Sequence, residues 1–259
     1  GIRDQPRSRG LGDVYKRQTF HQTGTATGRV SCSDPNLQNI PVRTELGKKI
    51  RKAFVAEEGW FLLDADYSQI ELRLVAHITG DENMREAFRR GEDIHTITAS
   101  RILGKPPEAV TSEDRRVAKT VNFGITYGMS PYGLASRLGI SDEEAKAIIE
   151  AYFAHYPRVK EWIERHIAEA TERGFVTTLM GRRRYIPGLK SPNRQVREAA
   201  RRMAINAPFQ GTAADMIKKA MVEIDRELEA RGLRSRLLLQ IHDELIYEVP
   251  EDEVKLMRE

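Results

Sequence analysis

Two apolar runs that end in acid constrain this chain most: FLLDADYS, which carries Asp66, and LLLQIHDELIYEVP, which carries Asp243. Each reads as a short strand bounded by turn-forming residues, and the long stretch between them reads as helices. The pattern reads as a mixture of strands and helices. A carboxylate at the end of such a strand projects into a cleft, and two of them could hold hard cations if the runs lie side by side. Taken singly, either acid could as well be a turn residue or a cap. Glu244 beside Asp243 is either a third metal ligand or a solvated neighbour.

The intervening helices announce their ends. IRKAFVAEEGWFLLDADYS reads as two strands joined at 57–59, and a helix follows from Ile70 to His77 with Ile70, Leu74, Val75 and Ile78 on one stripe. Asp81 can cap the next helix, and another begins near Asp93 and ends before Gly104. Thr111 or Ser112 caps a long helix with Glu113 and Asp114 in its first turn, and Ser141 with Glu144 forms a capping-box signal. A helix ending at Gly174 and a hairpin in FVTTLMGRRRYIP come next. Then a helix runs from about Asn193 to Asn206, Pro208 interrupts it, and a second runs from Thr212 toward Gly232.

On the long helix, Arg115, Lys119, Phe123 and Tyr127 recur every fourth position. A step of four advances about 400°, so the four share one face over about 18 Å. Val117, Ala118, Val121 and Ile125 fall behind them. Such a comb suits phosphates at its cationic end and a base at its aromatic end, with Gly124 and Gly128 leaving room for a flat ring. The same pattern also fits a half-exposed helix with a solvated basic edge.

Composition excludes several classes. At 40% apolar residues the 259-residue chain can build a core, and its formal charge of +4 permits a polyanionic partner. Cys32 is the single cysteine, so neither an intrachain disulfide nor a cysteine-based zinc site can form. There is no run of about 20 apolar residues and no apolar signal core, so a soluble, cytoplasmic protein without a membrane partner is expected. Residues 1–18 have no apolar period and read as a non-native leader, the alternative being a native flexible arm.

DYSQIELR, RRVAKTVNFGITYG and QIHDELIYEVP resemble, in that order, three motifs of family A DNA polymerases, the bacterial DNA polymerase I group. TGRVSCSDPNLQNIPVR and NAPFQGTAAD resemble further segments, so the resemblance runs from Thr19 to Glu259. It implies part of a right-hand polymerase of α+β fold, an antiparallel palm sheet built from 19–79 and 193–259 with a helical fingers insertion over 80–192. The implied activity is template-directed DNA synthesis by two-metal nucleotidyl transfer. Two Mg²⁺ ions, or Mn²⁺, would serve as cofactors, and primer-template DNA and deoxynucleoside triphosphates as partners of a monomer.

By the same resemblance Asp66, Asp243 and the Tyr67 carbonyl hold metal, with Glu244 as the further candidate. Arg115 and Lys119 grip the triphosphate, His95 adds a phosphate-side contact, and Lys119 is the candidate to donate charge or a proton to the leaving pyrophosphate. Phe123 packs on the incoming sugar and base, Tyr127 stacks near the templating base, Glu71 crowds the sugar 2′ position, and Gln69 stands with the nucleotide contacts. Arg29, Asn36, Gln38, Arg202, Gln210 and His242 match primer-template positions. Each of these polar residues could instead be an ordinary surface or capping group.

Two departures stand out. Asp64 offers an acidic competitor one strand period before Asp66. The chain also reads as a fragment that begins after the place of the family's thumb and ends before its last palm elements. Two other readings are a phage-type single-subunit RNA polymerase, against which Glu71 and Phe123 argue, and a nucleic-acid-binding remnant without catalysis.

Overall fold

The computed structural model describes residues 18–41 and 44–259, so all of the suspected leader except Gln18 lies outside the described residues. The chain divides into two compact units, one made of the residues up to Ser68 together with Ala214–Glu259, the other of Gln69–Ala213.

In the first unit a hairpin pairs β1 (Thr19–His21) with β2 (Ser31–Ser33), and α1 (Glu45–Arg51) follows. The central sheet is antiparallel, in the order β3 (Trp60–Asp66), β7 (Glu244–Pro250), β6 (Arg236–Ile241). Its register sets Trp60 against Pro250 and Asp66 against Glu244. Alternation then sorts the side chains into two faces. Leu63, Leu245, Tyr247 and Val249 pack with Ile217, Met221, Ile224 and Leu228, all from the helix α9 (Arg194–Ala230). The opposite face carries Asp64, Asp66, Glu244 and Glu248. A bulge between Leu237 and Leu239 shifts the register of β6, which adds local bend and twist.

β3 is less buried than its composition suggests. It lies at the sheet edge, with Phe61 51% exposed, and its acids discourage edge-to-edge pairing. The strand expected before it is absent. Instead Thr44 caps α1 by accepting from the Gly47 amide, and residues 52–59 lead to β3 without regular structure. Glu248, fully buried, fixes that connection: it accepts twice from the Arg236 guanidinium and once from the Glu57 amide.

The second unit is largely helical: α2 (Ile70–Thr79), α3 (Glu82–Arg89), α4 (Ile94–Leu103), α5 (Ser112–Thr126), α6 (Pro131–Leu138), α7 (Asp142–His155) and α8 (Pro157–Arg173) precede the hairpin β4 (Phe175–Thr177) and β5 (Arg183–Tyr185). Asp81 and Asp93 cap α3 and α4, while Thr111 with Asp114 and Ser141 with Glu144 close capping boxes. Among the described residues no helix is long and apolar enough to cross a membrane.

Pro208 does not break its helix, for α9 runs unbroken through it. A proline cannot donate to the carbonyl four residues back, here that of Ala204. His166 Nε2 supplies the missing donor at 3.1 Å, with its ring stacked on Trp162. Burial pushes the His166 imidazole below its ordinary value, and the bond to Ala204 only partly opposes this. An unfolded chain therefore takes up this proton near pH 6.5 while the folded one resists, so stability is full above that pH and falls as acid is added. His166→Leu should lower stability at pH 8 by about 1–2 kcal/mol and flatten the decline in melting temperature below pH 6.5. An unchanged acid slope would contradict this role.

Candidate active site

At one end of the central sheet β3 finishes in Asp66, and His242 and Asp243 form the tight turn from β6 to β7. The backbone N–H of Tyr67 donates to the Asp243 carbonyl at 3.2 Å, which ties strand end to turn. His242 itself is exposed and takes a left-handed backbone, φ 53°, which is uncommon outside glycine. The Asp66 carboxyl is pushed above its ordinary range by burial, then by the charge of Asp243, then by Asp64. Glu244 is raised as well, by burial first, then by Asp64 and Asp66, with Arg51 opposing. Arg29 approaches Asp243 at 3.6 Å, an ion pair too long for a good hydrogen bond.

Carboxylates that repel one another in this way are hard oxygen donors which a divalent cation would relieve. The donor set fits Mg²⁺ or Mn²⁺ bound by few protein ligands. Among the described residues no group of three or more His, Cys, Asp or Glu converges on one ion position, so water and substrate oxygens would complete the shell. Beside Glu244 and His242 a cavity of about 510 Å³ is lined by Phe54, Leu62, Leu239 and Ile246.

Two of the expected nucleic-acid contacts hold the chain itself. Asn36 accepts from the Gln38 amide, and Gln38 Nε2 lies 3.2 Å from the Val30 carbonyl and 2.9 Å from that of Gln240. Gln240, buried, in turn donates to the His242 carbonyl. Gln240 thus braces the acidic turn, a role the sequence reading missed. Its one signal is a lone amide inside an apolar strand.

In the second unit α5 presents the comb as its spacing requires. Phe123 and Tyr127 stack with centroids 6.3 Å apart, and the His95 ring lies 5.9 Å from Phe123. Ala118, Val121 and Ile125 are buried behind, whereas Val117 is only half-buried. Arg115 makes a two-pronged pair with Asp93, whose carboxyl is drawn down to about 2 because the Arg115, Thr96 and His95 hydrogen bonds outweigh the effect of burial. Lys119 is exposed and, among the described residues, has no ion-pair partner. The Tyr127 hydroxyl donates to Glu71 Oε2 at 2.9 Å, and Glu71 is buried.

Other residues take places the sequence does not suggest. Gln69 is the left-handed residue before α2, φ 56°. A side chain at Gly128, φ 66°, would meet Ile205 and Arg202, and one at Gly124 would press on Met129. These glycines therefore admit protein neighbours rather than a ring. Arg202 is exposed and Gln210 half-buried, both on α9. His95 is 3% exposed, with Nδ1 held by Asn122.

The family model described as DNA polymerase family A matches residues 14–259. The chain belongs to that family. Among relatives of this DNA polymerase family A chain, "DNA polymerase I, thermostable" from Thermus filiformis is 61% identical over 233 residues, 90% of this chain and 28% of the relative. "DNA polymerase I" from Pseudomonas aeruginosa is 54% identical over 237 residues, 92% of this chain and 26% of the relative. A solved structure of the POL domain of Pol1 from M. smegmatis, in complex with DNA primer-template and dNTP, is 52% identical, with a TM-score of 0.90 over 93% of this chain and 43% of that one. The chain thus spans under a third of the curated relatives' length. The mixed helix and antiparallel-sheet fold agrees with the resemblance read from the motifs, and these likenesses lend no support to a single-subunit RNA polymerase.

Sequence reading also missed Asp93 as the partner of Arg115, and Asn122. Asn122 had a signal, a polar residue between Val121 and Phe123 on the helix side that is otherwise buried.

Proposed function

We propose that this chain carries the nucleotide-adding centre of a DNA polymerase, extending a primer 3′-hydroxyl with deoxynucleoside triphosphates against a template. The supporting observation is the tie from Tyr67 to the Asp243 carbonyl, which gathers two acids from distant sequence at one sheet end. On this reading residues 19–79 and 193–259 act as palm and 80–192 as fingers of a cytoplasmic, monomeric enzyme.

Asp66 and Asp243, with the Tyr67 carbonyl and Glu244 as further candidates, would hold two Mg²⁺ ions. When bound, such ions favour ionisation of the primer hydroxyl and offset charge on the departing pyrophosphate. The chain's own side chains do the positioning. Lys119 and Arg115 meet the triphosphate oxygens, Lys119 being the group free to give charge or a proton to the leaving group. Phe123 and Tyr127 offer faces to the base, and Gln69 is a further candidate nucleotide contact. Arg29, Arg202 and His242 suit the phosphates of the primer-template, and Asn36, Gln38 and Gln210 its base edges.

Glu71 stands as the sugar gate. Its carboxylate is held by the Tyr127 hydroxyl, which fixes its rotamer and makes it a rigid wall. Primer extension by the purified chain, with deoxyribonucleotides and ribonucleotides in parallel, tests both claims. Deoxynucleotide extension is expected, and Glu71→Ala should raise relative ribonucleotide use about 10-fold or more. No extension under any divalent condition would overturn the function, and unchanged sugar preference would overturn the gate alone.

A further inference from the structure

The hairpin of β4 and β5 and the start of α9 form a basic stretch. Residues 173–202 hold nine of the chain's 42 Lys and Arg but one of its 38 Asp and Glu, Glu198. The rest of the chain is therefore net acidic, and the positive charge is local rather than spread. Antiparallel pairing sets Phe175 against Tyr185, Val176 against Arg184 and Thr177 against Arg183, so alternation gives the hairpin two unlike faces. Val176 faces inward and packs with Ile186, Leu189, Ala200 and Ala204. Phe175, Arg183 and Tyr185 share the other face, where Tyr185 is 69% exposed. Its ring centroid lies 5.7 Å from that of Phe175, and the Arg183 guanidinium lies over Phe175, 5.0 Å from the centroid.

An exposed cross-strand aromatic pair can serve only to steady a short hairpin. This hairpin is already held by other means. The Leu179 amide donates to Thr212 Oγ1 at 3.1 Å, the Arg182 guanidinium donates to the Gly211 carbonyl at 2.9 Å, and the Arg182 amide donates to Thr178 Oγ1. The aromatic face thus stands on a rigid support that does not need it. Among the described residues neither Arg183 nor Arg184 has an ion-pair partner. Arg184 is half-buried, and burial, then the charge of Arg182, pushes it below its ordinary value. Guanidiniums close enough to repel favour the arrival of an anion. A simple anion would leave the rings unused, and an apolar partner would leave the arginines unused. Unpaired nucleic acid uses both, because each nucleotide brings a flat π-face and a phosphate. A duplex hides its base faces and offers mainly phosphate.

We infer that the outer face of the hairpin is a binding site for single-stranded DNA, with a base stacked on Tyr185 while Arg183 and its neighbours meet the phosphates. Tyr185 and Arg183 stand outside the residues assigned to nucleotide addition, and the site does not depend on that function.

A fluorescein-labelled oligothymidine and a labelled duplex, each titrated with the full chain in the absence of nucleotide and divalent metal, test this. Tyr185→Ala should weaken oligothymidine binding about 10-fold, whereas Tyr185→Phe, which keeps the ring, should stay within about twofold of the wild type. Duplex affinity should change less than about twofold in Tyr185→Ala, and the melting temperature should hold because the side chain is exposed. Arg183→Gln should reduce the slope of log affinity for oligothymidine against log salt by about 0.7. An oligothymidine carrying 5-iodouracil should photo-crosslink to Tyr185. Equal losses for duplex and single strand in Tyr185→Ala, or the same loss in Tyr185→Phe, would overturn the stacking role. Cross-links confined to other aromatics such as Phe123 or Tyr127 would overturn the site itself. Polyglutamate that competes as well as oligothymidine of equal charge would assign the face to an acidic protein segment instead. With nucleotide and metal absent, failure here leaves primer extension untouched.

Discussion

Asp243→Asn should lower primer extension by about 10³-fold or more, and Asp66→Asn should do the same. The asparagine keeps the size of the side chain and removes its charge. In both variants the tie between the Tyr67 amide and the Asp243 carbonyl survives, because it belongs to the backbone. The turn should therefore keep its shape, and binding of a primer-template duplex should stay within about threefold of the wild type, since phosphate contacts dominate that affinity. Folding should not suffer either. The carboxyls of Asp66 and Glu244 are raised by burial and by neighbouring acids, so their charged forms are held against a cost that falls when one charge is removed. Melting temperatures at or above that of the wild type are expected. Asp64→Asn separates the competitor from the ligand, since Asp64 sits one strand period away, and less than a 10-fold loss in extension is expected there. Extension near the wild-type rate in Asp66→Asn, or collapse in Asp64→Asn with Asp66→Asn unaffected, would reassign the metal-binding acid.

What the sequence disclosed about the fold was local. Asp81, Asp93, Thr111 with Asp114 and Ser141 with Glu144 each satisfy backbone amides within a few residues of themselves, so the helix starts could be read residue by residue. Pro208 misleads because its remedy is remote: the Ala204 carbonyl is met by His166 of α8, and no window around the proline contains that histidine. The false strand before β3 fails for the opposite reason. There a local signal, the Thr44 cap with Glu45 and Lys48 behind it, outweighs the weak apolar pattern of IRKAFV. The candidate residues within each unit divide in the same way. Asp66, Asp243 and the comb follow from periodicity and from motifs, whereas Asp93, Asn122 and Gln240 act through partners on other elements and are visible only as polar residues in the wrong place.

Lys119→Ala should reduce kcat/KM for the nucleotide by about 10²- to 10³-fold, a larger loss than Arg115→Ala. The two cations lie one helical turn apart and are not equivalent. Arg115 is already committed to Asp93, and the pair is strong enough to hold Asp93 at about 2, so phosphate must compete with a carboxylate for its donors. Lys119 is exposed and, among the described residues, has no such rival. A compact ammonium without a partner meets phosphate at full charge and with no bond to break first. Asp93→Asn is the converse experiment: it releases Arg115, so KM for the nucleotide should fall while kcat stays nearly unchanged. Lys119→Arg separates charge from proton transfer. A guanidinium keeps the charge but does not give up its proton, so KM near the wild-type value with kcat reduced about 10-fold or more would assign the leaving-group proton to Lys119. Recovery of both parameters in Lys119→Arg would leave Lys119 as a fixed charge only, and a loss in Arg115→Ala that exceeds the loss in Lys119→Ala would reverse the ranking drawn from the Asp93 pair.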